Sequence, residues 1–268
     1  MSRFAQNPGS RRGFSLVETL VVLTIMLILG SMSALTIPSL LSAQTIAQAS
    51  SDISQVLDDA RSYAIANHTY VFVGFEEVNA SNLPNAASQS LVSSSAGGRL
   101  AVLVVASKDG SNSYTSATPY FNATNLTAIS KVKFIGSVHL ADFSQLTAAS
   151  GPMASRAAVT TANSLGANSA TGGAALFTWP LGTSASNAEY SFYPSEVVVF
   201  DQEGLAGVVN STTYTASGFT APTSSWIEIA LQLTHGSAIP AAPSNIATGQ
   251  LASIQLDGVT GANRVFRP

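Results

Sequence analysis

Glu18 is the one charged residue in an otherwise uncharged stretch, Phe14 to Leu41. A carboxylate inside a membrane costs roughly a few kcal/mol, and such residues are usually paired and functional. Glu18 therefore has two interpretations. It pairs with a positive charge supplied by a partner, or it lies at the level of the lipid headgroups. In the second case, a negative charge in the first helical turn favours the helix dipole.

The apolar stretch is long enough to be a membrane anchor. At about 1.5 Å rise per residue, a helix over 14–41 can cross a hydrocarbon core of roughly 30 Å. Arg3, Arg11 and Arg12 precede it without any acid, so the positive-inside rule places residues 1–12 in the cytoplasm and the rest outside. A secretory signal peptide is the alternative, but its apolar region spans only about 7–15 residues.

The helical pattern continues beyond the apolar stretch. Apolar and small residues recur at three- and four-residue spacing, which predicts a helix with one face on a core. The pattern extends to about Asn67. The residues of this stripe are Ile46, Ala49, Ile53, Leu57, Ala60 and Ala64.

From Thr69 onward the sequence favours strands. Short runs rich in β-branched and aromatic residues alternate with Asp-Gly and Gly-Ser turn sequences. Two segments, 79–98 and 141–173, are dominated by Ala, Ser, Asn, Thr and Gly, and we expect flexible loops there. The predicted strands are Thr69–Phe75, Arg99–Ala106, Lys131–Leu140, Ala175–Trp179, Glu196–Phe200, Trp226–Leu233, Ala252–Leu256 and Arg264–Phe266.

Composition narrows the classes of partner and chemistry. Charged residues make up 9% of the 268, against about 25% in an average domain, which favours an extracytoplasmic surface protein. The net charge of −3 gives no electrostatic reason for nucleic-acid binding. The chain has no cysteine, which excludes disulfides, thiolate zinc sites and cysteine nucleophiles.

The histidines give little support for an enzyme. His68, His139 and His235 are far apart in sequence, and no hydrolase, metalloprotease or P-loop motif is present. We expect no catalytic residues and no cofactor. His68 follows the predicted helix, where a cap role at the helix C-terminus is expected.

Three acids beside glycines have two interpretations. Asp201, Glu203 and Asp257 could contribute to a calcium site. Asp next to Gly also suits ordinary turns. We favour the turn interpretation and predict no metal site.

The segment Gly13-Phe14-Ser15-Leu16-Val17-Glu18-Thr19-Leu20 resembles the cleavage and methylation motif of type IV prepilins and type II secretion pseudopilins. The resemblance implies that a prepilin peptidase cuts between Gly13 and Phe14. Phe14 would then be N-methylated, and Glu18 would be the fifth residue of the mature chain. The other expected partners are further pilin or pseudopilin subunits and the inner membrane.

The physical chemistry fits the roles that the resemblance implies. Cleavage creates an amine at Phe14, which needs a counter-charge among packed apolar helices. Glu18 of a neighbouring subunit can supply it, because pairing two costly groups offsets part of both penalties. A single buried polar pair also sets register, as it does in coiled coils.

Further resemblance points to the H-type minor pseudopilins and the FimT-like minor pilins. The tail Arg264–Pro268 also resembles pilin-like proteins of verrucomicrobial gene cassettes. Three parts of the chain resemble the H type. The first is the helical segment Ser51–Asn67 followed by the strand Val71–Phe75. The second is a pair of late strands, Val197–Phe200 (followed by Gly204) and Ile227–Leu233, and the third is Ile254–Gly261, which ends in a Thr-Gly turn.

These observations predict an α+β, pilin-like fold. We expect a cleaved basic leader at 1–13, a transmembrane and filament-core helix at 14–41, an amphipathic helix at 42–67, and a mainly antiparallel β domain at 68–268. The expected location is the bacterial inner membrane, with a cytoplasmic N-terminus and a periplasmic domain, and then a filament. The expected function is structural, as a minor pilin or pseudopilin. The alternative is a filament-tip adhesin or substrate-recognition module that uses the loop-rich segments.

Overall fold

The computed structural model describes residues 14–82, 97–111, 114–115, 118–121, 123–143, 152–168, 175–184, 186–193, 196–209, 214–215, 218–219, 226–240 and 250–267. Within these ranges, side chains are not described for 31–40, 114–115, 118–121, 123, 152, 167–168, 214–215 and 218–219. The predicted leader 1–13 lies outside the described residues, as does most of the predicted loop 79–98. The chain divides into two compact units, 1–41 and 42–268.

One helix, α1, runs from Leu16 to Asn67 and contributes to both units. Its end has the hydrogen bonds of a Schellman motif. Thr69 N–H donates to the Ala64 carbonyl at 3.1 Å, and His68 N–H donates to the Ile65 carbonyl at 3.5 Å. His68 has φ 47°, the left-handed conformation of the residue that follows a helix. The predicted cap role of His68 is therefore confirmed.

The rest of the chain is mainly β-structure, as predicted, with no second α-helix in the described ranges. The strands are β1 (Val71–Asn79), β2 (Gly98–Ser107), β3 (Tyr114–Thr115), β4 (Thr118–Phe121), β5 (Leu126–Ala128), β6 (Lys133–Gly136), β7 (Val138–Ala141), β8 (Phe177–Trp179), β9 (Tyr190–Phe192), β10 (Val197–Phe200), β11 (Ala206–Val208), β12 (Tyr214–Thr215), β13 (Gly218–Phe219), β14 (Trp226–Leu233), β15 (Leu251–Asp257) and β16 (Asn263–Phe266).

Two sheets dominate the second unit. The first has the order β11-β10-β1-β2-β5, with β6 also paired to β2. The second has the order β16-β15-β14-β7. Three two-stranded hairpins, β3-β4, β8-β9 and β12-β13, complete the described β-structure. All pairings between these strands are antiparallel, so the predicted α+β class with a mainly antiparallel sheet is confirmed.

The main core lies between the second half of α1 and one face of both sheets. All six residues of the predicted helical stripe are buried, with at most 3% of their surface exposed. Three of the six are alanines, and these small side chains let the helix approach the strands closely. The period of the stripe thus predicted correctly which face of the helix is buried.

A second core covers the opposite face of the first sheet, under the β8-β9 hairpin. The stacked rings of Phe177 and Phe192, with centroids 5.0 Å apart, lie directly over Gly74 of β1. A Cβ at Gly74 would lie 2.6 Å from the Phe192 ring. Gly74 is therefore required for the hairpin to pack this closely.

The predicted strand Lys131–Leu140 is divided in two. Ser137 has φ 61°, and this left-handed turn separates β6 from β7. Before it, β6 pairs with β2 of the first sheet; after it, β7 pairs with β14 of the second. Ser137 N–H donates to the Gly98 carbonyl, and its own carbonyl accepts from Thr234 N–H. The chain changes sheets at this residue, which an apolar pattern cannot reveal.

The late strands differ from the expectation in a similar way. Val197–Phe200 and Ile227–Leu233 were expected to pair with each other. Instead β10 pairs with β1 and β11 in the first sheet, whereas β14 pairs with β7 and β15 in the second. Both segments contribute side chains to the same core beneath α1. They are therefore similarly buried, although they pair with different strands.

The predicted loop 141–173 contains regular structure where it is described. Three 3-10 helices, Pro152–Ser155, Thr161–Asn163 and Leu165–Asn168, lie within it. Arg156 holds this segment to the second sheet, because its Nη1 lies 2.5 Å from both carboxylate oxygens of Glu228. Both side chains are buried, with 5% and 0% exposed. Apolar contacts of Phe143 and Met153 add to the attachment.

Two turns, at Gly204 and Gly261, pack against Arg61 of α1. Arg61 Nε donates to the Gly204 carbonyl at 3.4 Å, and Gly261 lies against both groups. Gly204 and Gly261 have φ of 86° and 65°. A Cβ at Gly261 would lie 2.1 Å from the Gly204 oxygen. The Thr-Gly turn noted in the sequence is thus a place where only glycine fits.

Candidate processing and assembly site

The described chain begins at Phe14, directly before the first turn of α1. Ser15 occupies the N-cap position: its carbonyl accepts from Thr19 N–H at 3.1 Å, and its Oγ accepts weakly from Val17 N–H at 3.4 Å. A serine at this position satisfies backbone donors that have no partner inside the helix. Phe14 therefore stands just outside the helix, with 79% of its surface exposed.

Glu18 is the third residue of the helix. Its negative charge lies in the first turn, where it interacts favourably with the helix dipole. Ser15 and Glu18 have the spacing of a capping box. However, the Glu18 side chain is exposed and makes no hydrogen bond or ion pair within the part of the chain that the structure describes. Its carboxylate is free to accept a donor from another molecule.

The helix after Glu18 is apolar on every side. Large side chains from Leu20 to Leu29 are between 45% and 72% exposed. A helix that is hydrophobic all round is normally buried in protein or lipid. Exposed apolar surface of this extent marks a region that contacts other proteins or a membrane. Thr19 and Thr24 do not interrupt it, because their hydroxyls donate to backbone carbonyls of the same helix.

Among the described residues, no helix combines the length and the apolar character that crossing a membrane requires.

The structure describes one of the two residues of the predicted cleavage site. Phe14 is described, whereas Gly13 lies outside the described residues. Phe14 precedes α1, and Glu18 lies in the first turn of this helix; both side chains are exposed.

The family model described as the prokaryotic N-terminal methylation motif matches residues 9–34. The chain carries the signature of type IV pilins and pseudopilins. No curated protein and no solved structure was found to match the chain.

The methylation motif supports a type IV pilin-like or pseudopilin subunit. It indicates a structural subunit. It also implies processing by a prepilin peptidase and assembly with other pilin subunits. The matched residues contain Gly13, Phe14 and Glu18, the three residues to which the resemblance assigns cleavage, methylation and assembly.

Two of the three acids considered for calcium, Asp201 and Asp257, accept hydrogen bonds within turns. Asp201 Oδ1 accepts from the backbone N–H groups of Glu203 and Leu205, at 2.9 and 2.8 Å. Asp257 Oδ1 accepts from Val259 N–H at 2.9 Å. These are the local bonds by which Asp stabilises turns, as the favoured interpretation predicted.

Sequence reasoning missed two buried carboxylates, because Glu76 lies within an apolar strand, β1, and Glu196 directly precedes another, β10. Glu76 and Glu196 are 1% and 3% exposed. Glu76 Oε2 accepts from Ser191 N–H at 2.7 Å, whereas its Oε1 has no partner. Burial raises the pKa of Glu76 to about 9, with the Ser191 amide opposing and Glu196 adding to the shift. Burial, with the nearby Glu77 charge, raises the pKa of Glu196 to about 8.

Proposed function

We propose that this chain is a minor pilin or pseudopilin of a type II secretion pseudopilus or a type IV-like pilus, closest to the H type. The observation that carries the proposal is the free, exposed Glu18 carboxylate at the start of an all-apolar helix, within the methylation motif. A long N-terminal helix whose second half packs on antiparallel sheets supports the same function.

In this proposal the leader is removed between Gly13 and Phe14, and Phe14 becomes an N-methylated terminus. The new ammonium of one subunit pairs with Glu18 of its neighbour, while the apolar helices pack together in the filament core. Before assembly, the 14–41 segment holds the chain in the bacterial inner membrane with the N-terminus cytoplasmic and the β domain periplasmic.

Co-expression with a prepilin peptidase tests the processing step. Intact mass should correspond to a chain that begins at Phe14, increased by one methyl group. Gly13→Leu should abolish cleavage, because a side chain there obstructs entry of the backbone into the peptidase. Gly9→Leu, in the same leader, is the matched control and should be cleaved normally. An unchanged mass of the natural chain after co-expression would refute processing.

Glu18→Gln tests assembly separately from cleavage. The variant should still be processed but should be absent from sheared filaments, since the neighbour's ammonium loses its counter-charge. Thr24→Val is the control, because it changes a polar residue of the same helix without changing charge. Normal incorporation of Glu18→Gln would remove the pairing argument.

A filament-tip adhesin or substrate-recognition module is the second candidate. The loop-rich segments 79–98 and 141–173 motivate it, and loss of binding to a polysaccharide or secreted protein on trimming would support it. The structure shows how the trimming must be designed. Removal of Arg156 with the rest of 141–173 would leave Glu228 buried without its partner. A deletion confined to 169–173 retains this ion pair.

A further inference from the structure

A polar recess lies where α1 ends beside the end of β2. Its volume is about 520 Å³, within the range of sites that hold small molecules. It lies wholly in the β-rich unit, away from the methylation motif in sequence. The residues of its wall that matter here are Tyr63, Asn67, His68, Lys108, Asp109 and Thr127.

The wall is held in place by hydrogen bonds that do not depend on a ligand. Asp109 Oδ1 accepts from Ser107 Oγ at 2.9 Å and from the hydroxyl and amide of Ser111 at 2.6 and 3.0 Å. Asn125 Nδ2 donates to Asp109 Oδ2 at 3.2 Å. The Ser111 bonds, with that of Ser107, lower the pKa of Asp109 to about 2. Asp109 is thus an ionised, fixed acceptor at neutral pH.

Other polar groups of the wall remain unused. The Tyr63 hydroxyl, the His68 imidazole and the Thr127 hydroxyl make no hydrogen bond within the described ranges. Tyr63 is half-buried against the main core and adds an aromatic ring to the wall. The recess therefore offers donors and acceptors beside an aromatic surface, in a preformed geometry.

The charges of the recess favour a neutral ligand. Asp109 supplies one negative charge, and Lys108 supplies one positive charge whose Nζ donates to the Thr124 carbonyl at 2.8 Å. A phosphate would meet the Asp109 carboxylate, and a cationic side chain would meet Lys108. A molecule that carries several hydroxyls and an apolar C–H face matches both the unused groups and the ring.

We propose that this recess binds one neutral sugar unit of a glycan, with Asp109 accepting from sugar hydroxyls and Tyr63 and Thr127 contributing hydroxyl contacts. The site gives the β-rich unit a recognition function that is independent of leader cleavage. The Gly13→Leu variant, which cannot be processed, should bind sugar as well as the natural chain does. Failure of sugar binding and failure of processing are therefore separate results.

Saturation-transfer NMR on the full chain tests the proposal. The protein is held in a zwitterionic detergent that contains no sugar, and methyl glycosides of glucose, galactose, mannose and N-acetylglucosamine are added at millimolar concentration. We expect transfer to the ring protons of at least one glycoside. Transfer to none of them would overturn the proposal, as would displacement of a bound glycoside by equimolar inorganic phosphate or lysine methyl ester.

Two conservative variants assign the binding to this recess. Tyr63→Phe and Thr127→Val each remove one hydroxyl and keep the shape, so each should weaken binding about fivefold, the value of one neutral hydrogen bond. Gly136→Ala is the control, since Gly136 pairs with Arg99 at the opposite end of β2 and has open space around it. Circular dichroism confirms folding of each variant. Unchanged affinity in both hydroxyl variants would refute the assignment.

Discussion

Replacement of Glu76 by glutamine should stabilise the protein, and more so as the pH rises. In the folded chain Glu76 is buried with a pKa of about 9, against an ordinary value of 4.5. Between these two values the folded state retains the proton and the unfolded state releases it. The unfolded state then binds fewer protons, so the free energy of unfolding falls as pH increases through this window.

The expected magnitude follows from the size of the shift. Each pH unit inside the window costs about 1.4 kcal/mol for one group. From pH 6 to pH 8, Glu76 alone should lower the free energy of unfolding by about 3 kcal/mol. Glu196, with a pKa of about 8, acts in the same direction over most of that range. Glutamine resembles the protonated acid, and its side-chain oxygen can still accept a hydrogen bond from Ser191 N–H. Glu76→Gln therefore removes only the part of the pH dependence of stability that is due to Glu76.

Urea denaturation followed by circular dichroism at pH 6 and pH 8 measures the effect. The stability gap between Glu76→Gln and the natural chain should widen by about 3 kcal/mol over this interval. Glu203→Gln, which changes an exposed carboxylate, is the matched control and should leave the pH dependence unchanged. The reasoning is refuted if Glu76→Gln is no more stable than the natural chain at pH 8, or if natural stability rises with pH.

Two further predictions concern the packing, each with a matched comparison variant. Gly261→Ala should cost at least about 3 kcal/mol in thermal unfolding, because a left-handed φ and a clash with the Gly204 carbonyl add together. Gly236→Ala shares the positive φ but meets nothing within 4 Å, so it should cost only about 1 kcal/mol. Arg156→Met should cost roughly 3–5 kcal/mol, because it leaves the buried Glu228 carboxylate without a counter-charge. Adding Glu228→Gln should restore most of that loss, and equal instability of the single and double variants would contradict the ion-pair argument.

Local patterns in the sequence predicted the helix and its buried face. The stripe from Ile46 to Ala64 is buried as its spacing indicates, and β14 has the predicted bounds Trp226–Leu233. The cap role of His68 and the turn roles of Asp201 and Asp257 were also predictable. In each case the evidence lies within a few consecutive residues, where helix period and turn chemistry act.

The processing motif is local for a different reason. A peptidase reads consecutive residues, so Gly13, Phe14 and Glu18 are recognisable without any knowledge of the β domain. The structure adds that Glu18 has no partner in the described part of its own chain. That observation is what supports pairing with a neighbour.

Strand pairing and buried charge were decided only by tertiary structure. Ser137 directs β6 and β7 to different sheets, and an apolar pattern does not specify which strand a segment will join. Arg156 and Glu228 are 72 residues apart, and Glu76 is buried by a hairpin more than 100 residues later in the chain. The sequence by itself determined the methylation motif and the buried helical face, because neighbouring residues carry that information. The sheet partners, the buried carboxylates and the recess beside His68 required the fold, because they arise from contacts between segments that are distant in sequence.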